Sequence, residues 1–210
     1  MRNSFFNPEN WLWKPFGKIA DHLILSALWL LCSVPIVTAG AASTALYDCA
    51  AHCTLGGEPR MFSRFFRTFR RELLPGTGSL ALWGGILGGG FLLLRKFTGS
   101  AAGTDGNVMA AYAMAFGLAL LFGIVTWVFP LLSRFTFSFA GLQATAVKMA
   151  FGFLPRTVLL AAVNLTAGWL CLRFLLPAMI MPGIGAYLSA LILEPVFSKY
   201  EAGGSGDNNE

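Results

Sequence analysis

The densest run of chemically capable side chains is Asp48-Cys49-Ala50-Ala51-His52-Cys53. On an α-helix, Cys49, His52 and Cys53 share one face, because residues three and four apart are neighbours. Thiolate and imidazole are ligands for zinc or copper, with a fourth ligand drawn from another helix. A zinc site usually brings a second ligand pair, and His22 is the only other histidine in the chain. The preferred reading is a packing face of small residues with His52 near a membrane boundary, so no metal or cofactor is expected. All four cysteines (Cys32, Cys49, Cys53, Cys171) lie in apolar segments, where thiols act as small hydrophobes. Cys49 and Cys53 point the same way from one helix, a poor geometry for bridging, so no structural disulfide is expected.

Ionisable groups inside apolar segments are costly and mark functional candidates. Asp48 is one, and Asp21 and Glu194 are weaker ones that a membrane boundary would satisfy. Asn164, Thr166 and Arg173 have the composition of a polar cavity wall, although Arg173 can equally snorkel to an interface. Asp48, Asn164 and Arg173 therefore form a candidate polar pathway. The chain lacks a phosphate loop, a Gly-x-Ser-x-Gly elbow and a His-Glu-x-x-His pair. With two histidines and ten acids, a hydrolase site is hard to assemble, and no enzyme is expected.

Residues 60–73 carry the clearest local pattern. Phe62, Phe65, Phe66, Phe69 and Leu73 follow helical spacing, and Arg60, Arg64, Arg67, Arg70 and Arg71 fill the other side. This spacing predicts an amphipathic helix in the membrane plane, its rings in the acyl boundary. The candidate membrane-surface or partner contacts are Phe62, Arg64, Phe65, Phe66, Arg67, Phe69, Arg70 and Arg71. Anchoring to anionic lipid is the default reading; docking of an acidic partner and transporter coupling are the others. Nucleic acid is not expected despite the net charge of +5, because the arginines sit beside apolar spans.

These residues need elements to position them. Hydrophobic residues make up 56% of the 210 positions and charged residues 12%, against about a quarter charged in soluble domains. The fold class expected is therefore all-α: a polytopic transmembrane bundle of about six helices, each using roughly 20 residues. Apolar runs fall at about 19–37, 41–55, 78–94, 108–132, 156–176 and 183–197. The second is rich in Ala, Ser and Thr and is expected to pack on protein rather than lipid. A second in-plane stretch is expected at 134–155. The first run, followed by Ala39-Gly40-Ala41, resembles a signal peptide but is read as a retained helix. Gly84, Gly85, Gly88 and Gly89 form overlapping small-xxx-small pairs, expected to pack helices closely. Residues 1–199 form one membrane domain, and 200–210 a disordered polar tail. With six crossings and a cytoplasmic N-terminus, twelve of the fifteen Lys and Arg fall on the cytoplasmic side. The positive-inside rule then places both termini in the cytoplasm of a cell-membrane protein.

A faint internal repeat joins Pro35–Leu94 to Pro130–Leu176: a proline break, a basic in-plane segment, then a helix. Gln143–Pro155 loosely resembles the loop by which importer permeases meet their ATPase, without its acidic start and central glycine.

Several blocks carry a family likeness. They are Asn7-Pro8-Glu9-Asn10, Phe16-Gly17-Lys18-Ile19-Ala20-Asp21, Trp29 through Gly40, Thr44-Ala45-Leu46-Tyr47, Phe62 through Arg70, Phe129 through Phe135, and Leu154-Pro155-Arg156-Thr157. Together they resemble the YesL-like family of bacterial integral membrane proteins, a domain of unknown function, over most of the chain to about Lys199. Members are commonly encoded beside carbohydrate importers, sugar-responsive regulators and glycan-degrading enzymes. The resemblance implies an accessory role in carbohydrate uptake or sensing, with an ABC importer permease as partner. It supplies no catalytic residues. A small autonomous transporter or channel is the alternative.

Overall fold

The computed structural model describes residues 13–100, 105–135, 138–174 and 179–204. Every regular element among them is helical. The eight helices are α1 (Trp13–Ser33), α2 (Ala39–Cys49), α3 (Met61–Arg71), α4 (Leu73–Ser100), α5 (Asp105–Arg134), α6 (Phe139–Gly152), α7 (Leu154–Arg173) and α8 (Met181–Gly204). A π-helical turn, Ala50–Leu55, prolongs α2.

Among the described residues, four helices are long and apolar enough to cross a membrane: Leu73–Thr98, Val108–Arg134, Leu154–Cys171 and Met181–Ser198. The apolar part of α1, Ala20–Ser33, is shorter. This is compatible with a multi-pass membrane protein. The exterior agrees, since Leu74 is 88% exposed, Ile36 81% and Met109 77%. Water-soluble surfaces rarely show contiguous apolar area on that scale.

The second apolar run behaves as its composition predicts. Gly40 through Cys49 is buried except Ser43, and α2 touches α1, α3, α4, α5 and α8. Small residues permit this. A Cβ added to Gly40 would stand 2.2 Å from the Gly76 carbonyl oxygen of α4, and one on Gly76 would stand 2.8 Å from the Ala41 nitrogen. Only glycine at both positions lets the two backbones cross so closely.

Polar bonds tie the other helices. The Trp83 indole of α4 donates to Gln143 Oε1 of α6 at 2.7 Å, and Gln143 Nε2 donates to Ser79 Oγ at 3.1 Å. The Trp127 indole of α5 donates to Thr157 Oγ1 of α7 at 2.9 Å. Around them pack Val128, Leu131, Leu142, Leu160, Leu193 and Phe197.

Three boundaries differ from the sequence reading. The span at 78–94 extends back to Leu73, because Pro75 sits in the first turn, where its missing N–H costs nothing. The helix α5 runs from Asp105 to Arg134, past both ends of the expected 108–132, with Pro130 inside it. The helix α8 continues to Gly204, where a disordered tail was expected from residue 200; residues 205–210 lie outside the described part. Residues 1–12, 101–104, 136–137 and 175–178 also lie outside it.

Candidate functional site

The most elaborate polar cluster joins α2 to α3. Arg64 and Thr68 stand one turn apart on α3, so both face the same way. They meet Asp48, in the last turn of α2. Arg64 Nε donates to Asp48 Oδ2 at 3.0 Å and Nη2 to Oδ1 at 3.1 Å. Thr68 Oγ1 donates to Oδ2 at 2.7 Å. His52 Nδ1 lies 3.2 Å from Asp48 Oδ1. Arg64 also pairs with Glu58 through Nη1. Asp48 is 4% exposed, so its carboxylate relies on this forked, charge-assisted pairing in place of water. Burial works against the Arg64 charge, but the hydrogen bonds and charge of Asp48 outweigh it and hold the guanidinium pKa above its ordinary value.

Local backbone makes the meeting possible. The π turn at Ala50–Leu55 widens the end of α2, a feature frequent at functional positions. Gly57 and Arg60 both take positive φ, 73° and 75°, and reverse the chain into α3. Glycine adopts that conformation freely; arginine there is strained.

The sequence-predicted residues separate. Arg64 faces inward, and Arg71 binds Glu72 and donates through Nη2 to the Ser133 carbonyl at 3.4 Å. Phe65 is wholly buried against Leu25, Ala45, Leu46, Cys49 and Ala50, and Phe69 stacks on it with ring centroids 6.3 Å apart. These contacts correct the expectation that the ring stripe meets lipid as a whole, because it also has to seal α2. Phe62, Phe66, Arg67 and Arg70 do face outward. Gly84, Gly85, Gly88 and Gly89 are exposed, and an added Cβ on any of them meets nothing within 4 Å. Among the described residues none stands against that glycine face, whereas a Cβ on Gly90 would meet Leu118.

Asp48, Asn164 and Arg173 do not converge. Asp48 is held by α3, and Arg173 is exposed at the far end of α7. Asn164 donates to the Leu160 carbonyl at 2.8 Å. Around Cys49 and Cys53 the chemistry is quiet. Burial pushes both thiols up, which disfavours the thiolate that metal binding or attack needs. Cys49 instead donates to the Met61 carbonyl at 3.6 Å. Among the described residues no group of three or more His, Cys, Asp or Glu is placed to hold a metal.

Sequence reasoning missed a second ion pair. Arg134 of α5 bonds Glu194 of α8, and the Tyr47 hydroxyl of α2 lies close to that carboxylate. The signal was available: both charges sit within a turn of a proline, Pro130 or Pro195, inside an apolar run.

Residues 23–94 match DUF624, described as a protein of unknown function. The DUF624 segment runs from α1 to α4. It holds all of Asp48, His52, Glu58, Arg64 and Thr68, and none of Asn164, Arg134 or Glu194. The α2–α3 cluster is thus a feature of the matched portion. No curated protein and no solved structure matches the chain.

Proposed function

We propose that the chain is a non-enzymatic integral membrane accessory protein that presents α3 at the cytoplasmic surface of a bacterial cell membrane. One observation carries this reading. The Asp48 carboxylate fastens α3 through Arg64 and Thr68, leaving Phe62, Phe66, Arg67 and Arg70 facing outward. Rings beside arginines suit anionic headgroups and an acidic protein surface alike. In this reading both termini are cytoplasmic, consistent with the Lys and Arg bias, and the unpacked Gly84–Gly89 face is a second contact surface within the bilayer.

On the YesL-like resemblance, the partner is the permease of a carbohydrate importer. A photo-crosslinker at position 66, on the same outward flank, used in native membranes, tests this. A crosslinked permease subunit, lost when Arg67→Glu and Arg70→Glu are introduced, is the expected result. Crosslinks to lipid alone would refute the accessory role.

A second reading, a small autonomous transporter, is favoured by one observation: a cavity of about 290 Å³ inside the bundle. It requires solute flux by the reconstituted protein.

A further inference from the structure

That cavity lies between α1, α2, α5, α7 and α8, apart from the α2–α3 cluster. It is near the lower end of ligand-pocket volumes, roughly 300–1,000 Å³. Its chemistry narrows what fits. Among the described residues that line it, none is Asp, Glu, Lys, Arg or His. A charged solute would shed its water there without a counter-charge. Trp29, Leu46, Phe122, Val125, Phe129 and Met181 supply an apolar wall.

Three of the polar groups on the wall are already bonded within the chain. Ser43 Oγ donates to the Ala39 carbonyl at 2.8 Å and accepts from Trp29 Nε1 at 3.1 Å. Thr126 Oγ1 donates to the Gly123 carbonyl at 2.7 Å. Asn164 Nδ2 donates within its own helix at 2.8 Å. A polyhydroxylated ligand such as a sugar would leave most of its own donors and acceptors unpaired, and each unmade bond costs affinity.

Position points the same way. The helices α5, α7 and α8, which form much of the wall, are three of the four membrane-length helices. Beyond Pro130 and Ser189, α5 and α8 are joined by the Arg134–Glu194 pair. Charge therefore closes the end nearest α3 to a hydrocarbon, and entry is left to the apolar flank.

We propose that this cavity binds the acyl chain of a membrane lipid. The probe is a phosphatidylglycerol carrying a diazirine on its acyl chain, in vesicles with the reconstituted full chain. The proposal expects labelled peptides within 122–130 and 181–189, beside the general labelling of exposed α4 residues such as Phe91 and Leu92. Gly168 lines the cavity, and an added Cβ there meets nothing within 4 Å, so the Gly168→Phe side chain starts at the cavity wall without a clash at its Cβ. That variant should lower cavity labelling about tenfold, the effect of roughly 1.4 kcal/mol of lost affinity, with α4 labelling unchanged. Gly168→Ala should label like the parent chain. Label confined to exposed faces, or cavity label indifferent to Gly168→Phe, overturns the proposal. So does cavity label displaced by a water-soluble monosaccharide, which would assign the space to a transported solute.

Discussion

Replacing Asp48 by Asn removes the charge to which Arg64 is forked while keeping the side-chain size. Arg64 then remains in a partly buried site with its main partner neutralised. Removing one member of a buried pair costs about 3–5 kcal/mol. Because the Arg64 side chain is 18% exposed and keeps Glu58, the lower end applies, about 3 kcal/mol. The buried thiols Cys49 and Cys53, behind α3, report its release. At about 1.4 kcal/mol per tenfold, opening should become roughly a hundredfold more frequent. Maleimide labelling of Cys53, with Cys32 and Cys171 replaced by Ala, reads this in detergent. Asp48→Leu with Arg64→Leu removes both charges together and should label more slowly than either single variant, since no charge is stranded. Cys53 labelling in Asp48→Asn within twofold of the parent would refute the idea that this pair holds α3.

Three further outcomes follow from the packing and the thiols. Gly40→Leu should abolish folded protein, since its Cβ would meet the Gly76 carbonyl at 2.2 Å, while Gly84→Leu should leave the melting temperature in detergent unchanged; equal effects would overturn the α2–α4 crossing. Thr157→Val deprives the buried Trp127 indole of its acceptor, and should lower stability by about 1–3 kcal/mol in a denaturant titration. Burial raises the Cys49 thiol, so the folded chain keeps that proton to higher pH than the unfolded chain does. Its contribution to stability is therefore full below the ordinary thiol pKa, about 8.5, and fades as pH rises above it. Cys49→Ala should flatten that alkaline decline in a pH series of melting curves, and an unchanged slope would contradict it.

Much of the architecture was legible because composition dictates it. A chain poor in charge, with apolar runs of about 20 residues, fits helices that satisfy their own backbone, and the Ala-, Ser- and Thr-rich run at 41–55 announced a helix too small-featured for lipid. The site was harder. Asp48 stood out as an acid in an apolar run, and Arg64 as one of five arginines, but nothing in the spacing says which arginine turns inward. That choice is made by the loop at Gly56–Arg60 and the π turn before it, which set the rotation of α3 about its axis. The same rotation divided the phenylalanine stripe, sending Phe65 inside and Phe62 outside. The Gly84–Gly89 pairs show the converse: a packing motif is a local pattern, and whether a partner lies opposite is decided by helices distant in sequence. The Leu-Pro-x-Thr turn occurs at both 74–77 and 154–157, each time opening a long helix just after a short one. It gives the faint repeat a structural counterpart.

The central claim is that α3 lies on the bilayer surface, one flank sealed against α2 and the other facing headgroups. Spin labels placed singly at positions 62, 66, 67 and 70 in lipid vesicles, read by power saturation with oxygen and a water-soluble nickel complex, measure it directly. The account predicts oxygen-rich, nickel-poor surroundings at 62 and 66, and nickel-accessible surroundings at 67 and 70. Four labels equally accessible to nickel would place α3 in water and contradict it.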